Sequence, residues 1–303
     1  MRGFIGLTKR NLLIYFKDVA AVIFSLLTSI IVFVLYLVFL KGTYVNSING
    51  FVEGLETFID STDIDSMVSA ILLVGILGSA LITVPFSCLQ TVIKDRENKI
   101  DYDISSTPVK RYQIILSYFT SAVISAFIVT GLLLTVGIVV ISSQGNLHMS
   151  AMTTASTYGI VLLGSISSTA LFLILALFFK TSAASSAFFG ILSAASGFVI
   201  GAYIPLSQFS DRVQTFCNIF PATQITVLLR NNLLNGVIDK VNSDIGGIDN
   251  GAFAAGIRES FNFKVMLFGN ELAKANTYIY IIVAFVVSIV VLIFAYSKTY
   301  KRV

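Results

Sequence analysis

Charged side chains are scarce in this sequence: they make up 12% of the 303 residues, whereas hydrophobic residues make up 56%. A soluble domain carries about 25% charged residues, because its surface has to be hydrated. The shortage is concentrated in six apolar blocks without Asp, Glu, Lys, Arg or His, namely 19–40, 68–93, 112–141, 155–179, 183–204 and 277–297. Segments of about 20 apolar residues cross a bilayer as helices. The sequence therefore predicts one all-α integral membrane domain over residues 1–303, with six transmembrane helices.

Residues that carry chemistry are also rare, because the chain has only two cysteines and one histidine. Cys88 and Cys217 fall at opposite faces of the predicted membrane protein, so a disulfide between them is not expected. His148 lies in a short predicted outer loop, where we expect it to be solvated. The sequence has no phosphate-binding GxxxxGK[ST] loop, no HExxH and no GxSxG motif. These absences exclude ATP hydrolysis in the usual manner, and we expect no enzyme activity, cofactor or metal in this chain.

The apolar blocks lack the ionisable groups that ion-driven carriers place near the middle of the membrane. An ion-driven secondary carrier is an alternative that this absence disfavours. If the chain moves a solute actively, another subunit must therefore supply the energy. Nucleic acid is not an expected partner either, because insertion in a membrane accounts for the net charge of +4.

The distribution of charge predicts an orientation in the membrane. With six spans, the segments on the side of the two termini hold 13 of the 20 basic and 5 of the 16 acidic residues, a net charge of +8, and the other side has −4. Cytoplasmic segments of membrane proteins carry an excess of Lys and Arg. We therefore expect a multi-pass protein of the cytoplasmic (inner) membrane with both termini in the cytoplasm. A seventh span would put the basic C-terminus outside.

Residues 1–18 have the pattern of an amphipathic helix. At 100° per residue, one face is apolar and the other is basic; the apolar face has Phe4, Ile5, Leu12, Tyr15 and Phe16, and the basic one Arg2, Arg10 and Lys17. We expect a helix lying in the membrane interface, followed by an uncleaved first span. The alternative is a basic leader that only sets the orientation.

The stretch 205–229 is apolar but interrupted by polar residues, including Asp211, Arg212 and Gln224. We expect a re-entrant outer hairpin that is broken at Pro221 rather than a seventh span. The following stretch, 230–276, is rich in Gly and Asn around 242–251 and predicts a long extracellular loop with a short helix near 252–268. The first outer loop, 41–67, is acidic.

Two patterns inside the spans concern packing. Pro85 predicts a kink in the second span, which neighbouring helices can tolerate. Small residues recur every four positions at Ser193, Gly197 and Gly201, a spacing that lets helices approach closely. This face could pack within the chain or against a second copy, and the pattern does not separate the two.

Residues 94–118 (KDRENKIDYDISSTPVKRYQIILSY) form the longest cytoplasmic connection with dense alternating charge. The pattern predicts a short helix that ends before Pro108 and a new helix after it. Such a loop could be the docking site of an energy-supplying subunit, or it could be an ordinary solvated connection. Composition alone leaves the two interpretations nearly even.

At this loop the sequence resembles the permeases of ABC-2-type transporters. The similar features are the run Asp95-Arg96-Glu97, then Asp103, and then Thr107-Pro108-Val109 with Arg111 before a long span. The resemblance continues at Phe220-Pro221-Ala222-Thr223, Leu229-Arg230 and Leu234-Asn235-Gly236, which look like the re-entrant segment before the last span. The order of these motifs and the six spans extend it over essentially the whole chain. Lys99 departs from the family, where a small residue is common.

The resemblance implies a permease that dimerises, with homodimers expected, and pairs with two copies of a separate ABC ATPase subunit that binds ATP and Mg. It implies that residues 94–111 couple to that ATPase, with the contacts made by Arg96, Glu97, Asp101, Tyr102, Asp103, Pro108 and Arg111. It also implies an apolar outer gate at the hairpin, formed by Phe209, Phe216, Phe220 and Pro221. The other expected partners are membrane lipid and a hydrophobic or amphiphilic substrate.

The expected function is export of a hydrophobic or amphiphilic compound, such as a drug or an antimicrobial peptide. One alternative is export of a lipid-linked glycan or a lytic natural product. Another is a non-transporting immunity or sensor protein that binds a toxic amphiphile through its outer loops. Purification of the chain without an ATPase partner would favour the immunity or sensor protein, and the sequence leaves the cargo of an exporter open.

Overall fold

The computed structural model describes residues 2–35, 38–39, 41–51, 59–145 and 147–299. Four residues that entered the predicted charge distribution, Glu53, Glu56, Lys301 and Arg302, lie outside the described residues. The helices are α1 Arg2–Lys17, α2 Val19–Leu35, α3 Lys41–Phe51, α4 Ser61–Glu97, α5 Ile100–Ser106, α6 Arg111–Gln144, α7 Ala151–Ala176, α8 Ser182–Val199, α9 Asp211–Ile219, α10 Pro221–Asp244, α11 Ala252–Ser260 and α12 Lys274–Thr299. A short hairpin pairs β1 Val265–Leu267 with β2 Asn270–Leu272 in antiparallel register.

Five of these helices are long and apolar enough to cross a membrane: α4, α6, α7, α8 and α12. The helix α2, with 17 residues, follows α1 at a bend of 72°, and the pair passes the same test when taken as one bent unit. The chain is therefore a multi-pass helical membrane protein with five or six spans. The count of six stays a prediction.

The helix α4 is the centre of the bundle. In its most apolar stretch 83% of the residues are buried inside the protein, against 11% in α12. It contacts α2, α6, α7, α8 and α10. It is continuous through Pro85, and Asp60 caps its start by accepting from the N–H of Thr62 at 2.9 Å. A helix that is apolar all round has to be enclosed by others, which explains this position.

The bundle has two distinct ends. At one end α4 leads into α5, and α7 leads into α8; we call it the loop end, and it carries residues 94–111 and 177–181. The opposite end, which we call the cap end, carries residues 41–51, 147–150 and 245–273. A Cβ atom at Gly145 would lie 2.1 Å from Oγ of Ser66, so the start of α4 and the end of α6 meet closely at the cap end.

The helix α10 differs most from the expected architecture. The predicted hairpin ends at 229, but the helix that begins at Pro221 continues without a break to Asp244. Most of its side chains from 221 to 241 are buried, mainly against α4 and α7. In the rest of 230–276, α11 Ala252–Ser260 lies where the short helix near 252–268 is predicted, and the β-hairpin was not expected. Polar residues such as Gln224, whose Nε2 donates to the carbonyl of Asn218 at 2.7 Å, find partners in the chain instead of water.

The predictions for the cysteines, for His148 and for the small-residue face of the fifth span can be compared with the structure. Both cysteines are free and buried, as expected. His148 is not simply solvated, because its Nε2 lies 3.3 Å from the Asp63 carboxylate. The helix α8 ends at Val199, so Gly201 lies in a turn with φ +70° and the small-residue face does not continue to it. Gly197 packs within the chain, since a Cβ there would lie 2.3 Å from the Tyr203 ring.

Candidate functional site

The loop end contains the short helix that the residue pattern predicts. The helix α4 stops at Glu97, and Lys99 with φ 61° reverses the chain into α5. The helix α5 ends at Ser106, before Pro108, and α6 begins at Arg111. Because the residue before a proline avoids helical geometry, Thr107 is extended and separates the two helices. Residues 98–110, which include α5, therefore form a short connection between α4 and α6, and we call this connection the knob.

A buried carboxylate joins three elements beside this knob. The Asp95 side chain is 5% exposed and accepts two hydrogen bonds from the Arg10 guanidinium of α1, at 2.6 and 2.8 Å. The Tyr118 hydroxyl of α6 donates to the same carboxylate at 2.5 Å. A bidentate Arg–carboxylate pair is among the strongest polar contacts in proteins. We call Asp95, Arg10 and Tyr118 the Asp95 cluster; it fixes α1 and α6 to the end of α4.

Two of the predicted coupling residues contact the connection between α7 and α8, although Glu97 stays exposed. Nη1 of Arg96 donates to the carbonyls of Leu177 and Phe179, at 2.5 and 3.2 Å, where α7 ends. The Glu97 carboxylate accepts from the N–H of Ser182 at 2.9 Å and from its hydroxyl, at the start of α8. Both contacts satisfy backbone groups that helix ends leave without partners. Arg96 and Glu97 therefore bind the α7–α8 connection.

The remaining predicted coupling residues divide into two groups. Tyr102 is 55% exposed, and Asp103 and Pro108 are also exposed, so these three form the outer face of the knob. Asp101 is half-buried, and its Oδ1 atom is enclosed without a hydrogen-bond partner. Burial raises the pKa of Asp101 above its ordinary value. Arg111, also half-buried, begins α6.

The amphipathic helix α1 lies against the knob. A Cβ atom at Gly3 would be 2.5 Å from Cγ2 of Val109, so the backbone of α1 lies directly against the Val109 side chain. The face of α1 that is buried holds Thr8, Asn11 and Tyr15, and Ile5 and Phe16 of the predicted apolar stripe are exposed. Tyr15 therefore leaves the predicted lipid-facing stripe and bonds Ser25 of α2 at 3.0 Å.

At the predicted outer gate the structure brings three of the four named residues together. The rings of Phe216 and Phe220 meet edge to face, with centroids 5.4 Å apart. Phe220 and Pro221 line a cavity of about 60 Å³ with Ile82 of α4 and apolar side chains of α7 and α8. Phe209 lies before α9, and its carbonyl accepts from the Gln214 side chain at 2.8 Å. Within the described residues, no cluster of His, Cys, Asp or Glu could hold a metal ion.

Comparison of the sequence with known protein families identifies the family of this chain. The family model described as ABC-2 family transporter protein matches residues 54–297. The chain belongs to the ABC-2 transporter family. As an ABC-2 permease it is a membrane subunit of an ABC transporter, a type of subunit that works with an ABC ATPase and is in general not catalytic. No curated protein and no solved structure matches it.

The matched region of the permease covers the knob and the helices from α4 to α12, whereas α1, α2 and α3 precede it. The Asp95 cluster crosses this boundary, because Arg10 lies outside the match. The sequence showed Arg10 only as part of a basic helix face, and its pairing with a residue 85 positions away had no local signal.

A second feature of the permease that the sequence did not reveal is Arg230. It was counted among the outer loop residues, but it is 5% exposed inside α10. Its Nη1 donates to the carbonyl of Asn262 at 2.8 Å, and its Nε is enclosed without a hydrogen-bond partner. Arg230 thus fixes the turn after α11 to α10, at the cap end of the permease.

Proposed function

We propose that this permease is the membrane subunit of an ATP-driven exporter of a hydrophobic or amphiphilic compound. Two copies would pair with two separate ABC ATPase subunits, with the loop end and both termini in the cytoplasm. The observation that carries the proposal is the Asp95 cluster beside the exposed face of Tyr102, Asp103 and Pro108. A partner that pushes this face acts on a knob joined to the most enclosed helix of the bundle.

The contacts of the loop end support a route for that movement. Only Asn98 and Lys99 separate α5 from α4. Because this connection is so short, a displacement of α5 would also displace the end of α4. Through Asp95 the same displacement reaches α1 and α6, and through Arg96 and Glu97 it reaches the α7–α8 connection. Packed elements move as rigid units over such contacts. One push would therefore reorient several spans together.

The position of α10 supports a re-entrant exit region. Pro221 lies beside Ile82, near the middle of α4, and a Cβ at Gly236 of α10 would lie 2.5 Å from the His148 carbonyl at the cap end. The segment α9–α10 would thus enter the membrane from the cap end, turn at Phe220 and return. Helix α10 starts at Pro221, whose missing N–H is no loss at a first helical position.

The lining of the cavity at Phe220 supports an apolar cargo. Its walls include Ile82, Phe172 and Leu192, and Ser168 and Ser196 add hydroxyl groups. A site of this composition favours apolar surface and offers few polar anchors, which suits a lipid-like or amphiphilic molecule. A lipid-linked glycan or a lytic natural product stays the alternative cargo. The volume of about 60 Å³ would have to grow before a molecule of that size could pass.

The proposal is tested by reconstituting the purified permease into liposomes with and without a cassette ATPase encoded beside it. We expect ATP-dependent movement of a fluorescent lipid analogue or a labelled antimicrobial peptide only when both proteins are present, and unchanged transport after the proton gradient is collapsed. Uphill transport by the permease alone would contradict it. So would binding of an amphiphile without transport and without an ATPase partner, which is the behaviour of an immunity or sensor protein.

A further inference from the structure

A small cavity lies beside Arg230 near the cap end of the permease. Its volume is about 10 Å³, and its walls come from α3, α4, α10, the turn after α8 and the turn after α11. Its lining includes Tyr44, Gly75, Ala202, Arg230 and Phe261. It shares no lining residue with the cavity at Phe220, so the proposed exit region does not use it.

Arg230 brings a full positive charge to this cavity. The residue is 5% exposed; its Nη1 donates to the Asn262 carbonyl at 2.8 Å, and its Nε is enclosed without a hydrogen-bond partner. Within the described residues, no carboxylate forms an ion pair with Arg230. The titratable group that acts on it is the Tyr44 hydroxyl, and a tyrosine is uncharged at neutral pH. A carbonyl carries only a partial charge, so the guanidinium keeps a net positive charge away from water.

Such a buried charge is costly unless an ion of opposite sign accompanies it. A lysine could escape this cost by losing its proton, but an arginine stays protonated in proteins. The described part of the chain places no acid against Arg230. We therefore expect the counter-ion to come from the solution.

The size of the cavity selects the kind of anion. A space of about 10 Å³ holds one particle of about the size of a water molecule. Chloride is a single atom only slightly larger than water, whereas phosphate, sulfate and the carboxylate end of an amphiphile are larger. Ala202 and Pro205, which line the cavity, are half-buried, so a small ion can reach it from the turn after α8.

We propose that this cavity binds one chloride ion, held by the guanidinium of Arg230. The ion would neutralise the buried charge and so stabilise the junction of α3, α4 and α10 with the turn after α8. If the orientation in the proposed function holds, the cap end faces the outside and the ion comes from the external medium. The binding itself does not depend on transport.

The first experiment compares the thermal midpoint of the purified full chain in detergent in sodium chloride and in sodium gluconate. The ionic strength is the same in both, and gluconate is too large for the cavity. A ligand that binds only the folded state stabilises it, so we expect a midpoint about 3 °C higher when chloride is about tenfold above its dissociation constant. Equal midpoints in the two salts would overturn the proposal.

Arg230→Gln tests the charge that holds the ion. Broadening of the chlorine NMR line by the protein reports chloride that exchanges with a bound state, and this variant should lose both the excess broadening and the difference in midpoint. Arg258→Gln is the matched control, because Arg258 is a cap-end arginine that pairs with Asp239 at 2.7 Å and does not line the cavity. It should keep both signals. An Arg230→Gln variant that also keeps both would overturn the proposal.

Ala202→Leu tests the cavity with Arg230 intact, and it serves if Arg230→Gln does not fold. The larger side chain would fill the space from a half-buried turn, so the broadening and the chloride dependence of the midpoint should be lost. Unaltered chloride dependence would contradict the assignment to this cavity. The assays contain no ATPase and no cargo, so their failure would leave the exporter proposal standing, and the failure of export would leave the chloride site standing.

Discussion

Both ends of the bundle have buried apolar packing, and the loop end adds a buried cluster of charged side chains. At the loop end a few polar side chains join elements that are far apart in the sequence, as Arg10 does with Asp95. At the cap end a broad apolar cluster joins α3, α4, α10 and α11, with members such as Met67, Leu234 and Phe253. Polar links are directional and break when one partner is lost, whereas apolar packing is distributed. We therefore expect the loop end to be sensitive to the loss of one polar side chain, and the cap end to the loss of buried apolar side chains.

The largest expected effect is at the cap end, where Phe253→Ala removes a side chain that is 1% exposed. Loss of a buried phenylalanine leaves a cavity and costs about 3–5 kcal/mol. We expect a clearly lower thermal midpoint of the purified permease, measured in detergent. Phe268→Ala is the control, because Phe268 is 79% exposed, and its effect should stay within about 0.5 kcal/mol. Similar midpoints for the two variants would show that buried apolar packing does not dominate the stability of the cap end.

The next effect is at the loop end, where Asp95→Ala leaves Arg10 and Tyr118 without their acceptor. Breaking a fully buried ion pair costs about 3–5 kcal/mol, and we expect about 2–3 here because Arg10 is 31% exposed. The variant should lose both thermal stability and stimulation of the partner ATPase. Asp65→Ala, an exposed acid at the other end of the same helix, should lose neither. A stable Asp95→Ala variant with normal stimulation would show that the cluster carries no movement.

A smaller effect separates coupling from stability. Tyr102→Ala changes an exposed residue of the knob, so the thermal midpoint should move by less than the equivalent of about 0.5 kcal/mol. If the partner ATPase contacts this face, stimulation of its ATPase activity should fall about five- to tenfold, as expected when an interface aromatic is lost. Tyr112→Ala, which alters another exposed tyrosine near the start of α6, shows whether the loss is specific to the knob. Full stimulation in Tyr102→Ala would place the contact elsewhere.

The smallest effect is a dependence on pH. The raised pKa of Asp101 means that the folded protein binds this proton more tightly than the unfolded chain, so ionised Asp101 lowers the stability at neutral pH. Asp101→Asn should therefore raise the thermal midpoint at pH 7, and the gain should fade as the pH falls through the folded-state pKa. Asp103→Asn, on the exposed face, is the control, and it should leave the thermal midpoint at pH 7 nearly unchanged because it removes no buried group. A gain that is independent of pH would exclude burial of the charge as its cause.

Local signals were sufficient for most of the helices. The apolar block 112–141 became α6 Arg111–Gln144, and Pro108 separated α5 from α6 as predicted. Local sequence signals did not predict α10. Its first residues follow a proline that predicts a break, and its later residues belong to a stretch whose Gly and Asn content predicts a loop. Its helical structure depends on burial against α4 and α7, and burial is a property of neighbours rather than of the segment.

At the candidate site, too, the sequence predicted some features, and others depend on the neighbouring helices. Tyr102, Asp103 and Pro108 are exposed where the resemblance expected a docking surface. Arg96 and Glu97, from the same short motif, bond the connection between α7 and α8 instead. A motif gives the types and the spacing of residues, but the direction of each side chain depends on which helix end lies next to it.

By itself the sequence determined that this protein is a helical membrane protein, because uncharged blocks of about 20 residues are stable only as helices in lipid. It also determined the family, through the order of motifs between those blocks. Only the tertiary structure decided that Asp95 joins α1 to α4 and α6, and that Arg230 is buried at the cap end. Those contacts join residues tens of positions apart, and their energy exists only after the helices have packed.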